Sequence, residues 1–481
     1  MKMNPLFIFL FLFYNSVFTS CSSSTTQTTD KNETESDTVF VEKKKEYEKF
    51  ETGKILNPVV CSSNPALSFA LYLPSTYSPE KKYPSICFFD PHADGKLSVE
   101  KYKDLAEKYG FIIACSNNSH NGIIGTKMVE IYTSFFGDIQ NRLSVDFKRL
   151  YVGGFSGGSR IASSVLLKEN GYSGLISCGA GWMKVKDPLQ NKFAFIGFAG
   201  NEDFNLTELR TLNSQLDTSK TIPHTLVEFE GKHEWPPAKI MENAFIWFEF
   251  DAMKKKDIPK NDSLISNFIA ESEKEIKNLE SKKEWYKLYN TYTTLILFTE
   301  GLADNSSYKK ALETLSEKEE MKNSMKELQD LYLKEEQLKQ QYSGFLQSKD
   351  AIWWKAEVEK INKTIKNDKD KNIRAMYKRL LSYLSLMVFS NASGALRFNE
   401  LQGAAYFILL YKLIDPENCE HAYLSAIFYA RQNNTKEAIT SLKDALKLGY
   451  KDYARMMVEK DFVSMQQNVE FIGIAEKIKP Q

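Results

Sequence analysis

The stretch RLYVGGFSGGSR, residues 149–160, decides how this chain is read. Leu150, Tyr151 and Val152 form a short apolar run of strand type, and Gly154 to Gly158 a tight turn. From Ser159 onward, Ile161, Val165 and Leu166 fall on one helical face. The order is strand, turn, helix. A serine lifted clear of its neighbours at such a turn needs a strained backbone. The residues two before and two after it must then be small, because strand and helix nearly touch there. Gly154 and Gly158 meet that requirement, which makes Ser156 a candidate nucleophile. The N–H of Gly157, at the helix start, faces the same space and is placed to hold an oxyanion. An ordinary glycine-rich turn is the competing explanation of the pentapeptide.

Outward from this turn, residues from about 55 to 250 alternate between two patterns. Strands are expected over 66–73, 83–89, 111–115, 174–178, 193–198 and 224–229. Helices are expected over 99–109, largely over 123–143, and over 237–253. Short apolar strands separated by amphipathic helices call for a mostly parallel sheet covered on both faces, an α/β layout.

Layout and motif together resemble the α/β-hydrolase fold, close to the exported esterases related to polyhydroxybutyrate depolymerases and feruloyl esterases. In that family the nucleophile follows the fifth strand, the acid a later one and the histidine the last. The resemblance therefore implies Asp203 as the acid, in the loop AGNEDFN (residues 199–205), with Glu202 as the alternative. Asn205 and Glu208 have the spacing of a helix-capping pair, which puts Asp203 just before the next helix. It implies His233, in GKHEW (residues 231–235), as the general base whose tautomer the aspartate fixes. The second oxyanion donor is expected from FDPHADG (residues 89–95), where relatives usually carry His-Gly in place of Asp90-Pro91. Proline has no amide hydrogen, so the expectation moves to the backbone of His92. Asn117, Asn118 and Trp182 lie in loops at strand C-terminal ends, where ligands gather in such sheets. Trp182 and Trp235 are candidate pocket walls, with plain packing as the alternative.

At the N-terminus, Lys2 precedes an apolar run over residues 6–13 that is too short to span a bilayer and has the character of an export signal. Phe18-Thr19-Ser20-Cys21 resembles a bacterial lipobox, with Phe18 where an aliphatic residue is usual. Cys21 is thus the expected lipidation site, with plain secretion as the alternative. Residues 22–37 carry no large hydrophobic side chain and read as a disordered tether. The chain has 63 Lys and Arg against 62 Asp and Glu, with Lys2 the only charge in the leader, so the remainder is balanced. Such a balance gives no reason to expect nucleic acid as a partner. Besides Cys21, five of the six cysteines remain, irregularly spaced and without a CxxC pair. Neither a disulfide scaffold nor a zinc site is indicated, and no metal or cofactor is expected.

Beyond about residue 260, Lys and Glu abound, Pro and Gly thin out, and apolar residues recur at three and four. Helices are expected over 264–279, 285–299, 308–325, 329–345 and 351–365. Near the end, Ala426, Tyr429, Ala438, Leu442 and Ala445 occupy positions that resemble a tetratricopeptide repeat, with Ala404, Ile408, Tyr411 and Pro416 fitting a preceding second helix. Trp353-Trp354 reads as buried between helices or as an exposed docking patch.

The expected organisation is a leader over 1–20, a tether over 21–39, a hydrolase region over 40–260, repeat-like helices over 261–395, and tetratricopeptide-like repeats with a cap over 396–481. The sheet is expected to be complete without the helices, which would capture a protein partner. The expected function is that of a lipid-anchored, exported serine hydrolase acting on a carboxylic ester. A peptidase or amidase would use the same residues. A surface-anchored binding protein with a degenerate hydrolase domain is the alternative from another class.

Overall fold

The computed structural model describes residues 46–182, 193–219 and 222–479, so the leader, Cys21 and the tether lie outside the described residues. Among the described residues, eight strands form one sheet: β1 (Ile55–Val60), β2 (Ser68–Tyr72), β3 (Tyr83–Phe89), β4 (Ile112–Ser116), β5 (Val145–Phe155), β6 (Gly174–Cys178), β7 (Ala194–Gly200) and β8 (His224–Phe229). Their spatial order is β1-β2-β4-β3-β5-β6-β7-β8. β2 runs antiparallel to both β1 and β4, and every other pairing is parallel. Helices flank the sheet: α1 (Gly95–Tyr109), α2 (Thr126–Arg142), α3 (Gly157–Lys168), α4 (Leu206–Ser219) and α5 (Ala238–Lys254). α1 and α5 bury their apolar sides in one core cluster, while α2, α3 and α4 bury theirs in another. This is the α/β-hydrolase fold.

Strands covered on both faces must be apolar throughout rather than alternating. β3, β6 and β7 are buried along their whole length. Cys87, Cys115 and Cys178 are unpaired and serve as small core side chains, their thiols pushed up by burial. β1 lies at the sheet edge, where Pro58 does not deprive an interior ladder of a donor.

The second half is helical: α6 (Asp262–Ser281), α7 (Trp285–Thr299), α8 (Ser306–Glu317), α9 (Glu319–Ser348), α10 (Ala351–Asn367), α11 (Lys371–Arg397), α12 (Leu401–Ile414), α13 (Cys419–Arg431), α14 (Thr435–Lys447), α15 (Tyr453–Val458) and α16 (Val469–Ile478), with a 3-10 turn over Lys460–Met465. The sequence pattern puts a break near residue 327, but the chain bends at Lys318, which is extended (φ −66°, ψ 133°). No glycine or proline marks that bend. Ala404, Ala426, Ala438 and Ala445 are fully buried in the core that joins α12, α13 and α14, where small side chains permit close approach. Trp354 is fully buried in the same cluster, with Trp353 packed against it.

The sheet is complete before residue 230, but the core that covers it is not complete without the helices. Ile265, Phe298 and Leu302 belong to the same core as α5. Phe298 lies 4.7 Å from the Trp247 ring and stacks at 5.1 Å on Phe268. Tyr332 of α9 packs against the core on the opposite face of the sheet. Tyr47–Gln481 accordingly forms one compact unit. Among the described residues, no helix is long and apolar enough to cross a membrane.

Candidate active site

Ser156 sits between the end of β5 and the start of α3 with φ 51° and ψ −120°, a conformation that few residues with a side chain adopt. Its neighbours explain why this is sustained. A Cβ on Gly154 would stand 2.4 Å from the Gly158 carbonyl carbon, and one on Gly158 would stand 2.0 Å from the Phe89 oxygen. Only glycine fits at either place. The Ser156 amide donates to the Cys178 oxygen at 2.8 Å, which ties the elbow to β6.

The loops after β7 and β8 converge on this serine. His233 Nε2 is 2.9 Å from Ser156 Oγ, and His233 Nδ1 is 2.9 Å from Asp203 Oδ1. A buried carboxylate only accepts, so Nδ1 carries the proton and Nε2 is left to receive one from the hydroxyl. Asp203 is fully buried, and the same Oδ1 also accepts from the Asn205 amide at 2.8 Å. The His233 ring lies between two aromatic rings, Phe155 at 4.7 Å and Phe204 at 4.3 Å. Gly179, with φ +62°, packs under the relay: a Cβ there would be 3.0 Å from Asp203 Oδ2 and 3.1 Å from His233 Cε1.

Glu202, the alternative acid, points the other way and is paired with Lys378 Nζ at 2.6 Å. Glu208 does not cap α4: it accepts from the Gly181 amide at 2.8 Å and from Arg160 at 2.9 Å.

Gly157 is the first residue of α3, so its N–H has no acceptor within the helix. The expectation for His92 needs correction. Its amide donates to Asp90 Oδ1 at 2.8 Å, because Asp90 is buried and draws in the nearest donors. Trp235 Nε1 donates to Asp90 Oδ2 at 2.9 Å. That bond links the loop after β3 to the loop bearing His233.

The pocket candidates also move. Trp235 is 5% exposed and packed on Phe88, Tyr102 and Phe155, so it is a strut beneath the site. Trp182 is 9% exposed, with its ring edge-on to Phe195 at 5.0 Å, and belongs to the core. Asn117 donates to Asn57 Oδ1 at 2.8 Å and Ser68 Oγ at 3.1 Å, bracing the β1–β2 edge rather than the site. Asn118 likewise accepts from the Ser68 amide at 2.8 Å. The residue of that loop that does reach the elbow is Asn121, which sequence reading passed over. A Cβ on Gly157 would fall 1.9 Å from its side-chain oxygen, so the carboxamide lies directly against Gly157.

No family model matches this chain, and no curated protein does either. Solved structures do. An S-formylglutathione hydrolase from Agrobacterium tumefaciens is 16% identical over 38% of this chain and 88% of its own, with a TM-score of 0.31. The feruloyl esterase module from Clostridium thermocellum, complexed with sinapinate, is 15% identical over 40% of this chain and 87% of its own, with a TM-score of 0.32. Esterase 2 of Thermogutta terrifontis, phosphonylated by sarin, is 12% identical over 43% of this chain and 97% of its own, with a TM-score of 0.33.

Proposed function

We propose that this chain is a serine hydrolase that cleaves carboxylic esters by acyl transfer. The observation that carries this is the unbroken relay from Asp203 through His233 to a serine on a strained elbow. Ser156 Oγ attacks the ester carbonyl while His233 Nε2 takes its proton, and Asp203 stabilises the imidazolium. The oxyanion is held by the Gly157 N–H and by the carboxamide of Asn121, turned so that its nitrogen donates. Collapse breaks the bond to the alcohol oxygen, which leaves with the proton from His233. Water then enters by the same steps in reverse and releases the acid.

A binding protein on a hydrolase scaffold remains the second reading, favoured by the loop after β3. Pro91 has no amide hydrogen, and the His92 amide is already bound to Asp90. A fluorophosphonate probe separates the two, because it reacts only with an activated serine. Labelling and turnover of p-nitrophenyl esters by the unaltered chain, both abolished in Ser156→Ala, support the enzyme. A chain that is neither labelled nor active supports the binder. Profiling over esters of increasing acyl length would define the substrate class, and matched p-nitroanilides would test for amidase activity.

We also propose export with a lipid anchor at Cys21 and capture of a protein partner by the C-terminal helices. Palmitate labelling lost in Cys21→Ser checks the anchor. Label that persists in that variant, or never appears, argues for plain secretion.

A further inference from the structure

The loop that carries Asp203 is held from two sides. On the sheet side, the amides of Asn201 and Glu202 donate to the Phe229 and Gly231 oxygens, at 2.7 and 2.9 Å. Asn205 Nδ2 donates to the Gly179 oxygen at 2.7 Å, and on the other side further anchors come from the helical half of the chain. Arg379 Nη1 of α11 donates to the Asn201 oxygen at 2.6 Å. Lys339 Nζ of α9 donates to the Phe204 oxygen at 3.2 Å and to Thr207 Oγ1 at 3.0 Å. The two carbonyls so held flank Asp203, and Phe204 is the residue whose ring lies on His233.

These two cations share one carboxylate. Glu335 is fully buried, and Arg379 is 3% exposed. Glu335 accepts from Arg379 Nε at 2.9 Å and from Nη2, and pairs with Lys339 Nζ at 3.1 Å. A buried ion cluster is a poor way to hold two helices together, since apolar side chains of the same volume do so as well or better. What the ion cluster adds is direction. The planar guanidinium fork spends two of its nitrogens on Glu335, and this fixes where the third points. That third nitrogen points at the Asn201 carbonyl.

We propose that Arg379, with Lys339, is a positioning residue for the Asp203–His233 pair, so that the helical region is part of the construction of the catalytic site. This rests on the reading of Ser156, His233 and Asp203 as a triad. A misplacement of about 1 Å at such a pair costs turnover by up to about 100-fold without a comparable effect on substrate binding.

The test uses the full chain and a short soluble p-nitrophenyl ester. In the double variant Arg379→Met with Glu335→Leu the buried Lys339 keeps its pair with Glu336 at 3.0 Å, so no buried charge is left unpaired and the helices keep their packing. Its kcat is expected to fall about 10- to 100-fold with KM within about twofold of the unaltered value. Arg379→Lys, which keeps a charge near Glu335 but lacks the fork, is expected to fall between the two. Lys339→Met leaves the Arg379–Glu335 pair intact and is expected to lose kcat about 10-fold. It decides the matter if the double variant does not fold. Turnover in the unaltered chain with the same kcat in the folded variants overturns the inference alone. An unaltered chain that neither turns over ester nor reacts with a fluorophosphonate overturns the triad and the inference with it.

Discussion

At Gly179 a single added methyl group would meet Asp203, His233 and the Phe155 ring, the last at 2.8 Å. Its φ of +62° adds strain for any residue with a Cβ. Gly179→Ala is therefore expected to cost about 1–2 kcal/mol of stability and at least about 10-fold in kcat, read from denaturant unfolding and ester hydrolysis. An alanine variant with unaltered kcat would mean that Asp203 and His233 tolerate displacement. Asn121 is exposed, so Asn121→Ala should leave stability nearly unchanged while lowering kcat about 100-fold. Undiminished turnover there would remove Asn121 from the oxyanion site. Ser156, Asp203 and His233 were legible because each follows a strand that the hydropathy pattern marks. Gly179, Asn121 and Phe204 were not, since their contacts arise from chain crossings that no local spacing records. His92 failed for a related reason: that its amide would turn to its neighbour Asp90 depended on Asp90 being buried.

The junction between α5 and α7 is where one charge reports on a whole element. Lys254 Nζ donates to the Leu297 oxygen at 2.8 Å and lies 5.3 Å from the Trp247 ring centroid. Burial pushes its ammonium down from 10.5 to about 8, against the opposing pull of Asp251 and Glu300. Between about pH 8 and 10 the unfolded chain then binds the extra proton, so this group's contribution to stability improves as pH rises through that window. The stability difference between Lys254→Met and the unaltered chain should therefore shift by about 1–2 kcal/mol in favour of the unaltered chain from pH 7 to pH 9.5. A difference that is flat with pH would mean that the ammonium is solvated. Strands β3, β6 and β8 have the bounds that the sequence suggests; β3 and β6 are buried on both faces, while β8, at the sheet edge, is only partly buried. β1 went unread, since Pro58 and a register shift break its pattern. The bend at Lys318 was equally invisible, because amphipathic spacing continues through it.

At the scale of the molecule, the shift in composition near residue 260 marks a change of secondary structure within one folded unit. A chain ending at residue 260 retains Ser156, Asp203 and His233 but uncovers Trp247 and loses both cationic anchors of the acid loop. Phe298 alone is a fully buried aromatic, so the shortened chain should be destabilised by more than about 3 kcal/mol and associate in solution. Urea unfolding and sedimentation check this, and a shortened monomer of full stability and full kcat would contradict it. The anchor on Asn201 comes from a residue 178 positions later in the chain. Synthesis runs from the N-terminus, so the elbow and its serine emerge from the ribosome well before Arg379 exists. Until the last third of the polypeptide has been made and folded back, Ser156 is present but Arg379 and Lys339, which bond to the loop of Asp203, are not. On the proposed reading, full turnover would be timed to the completion of the chain, and a prematurely terminated product would carry the motif with the loop of Asp203 unanchored.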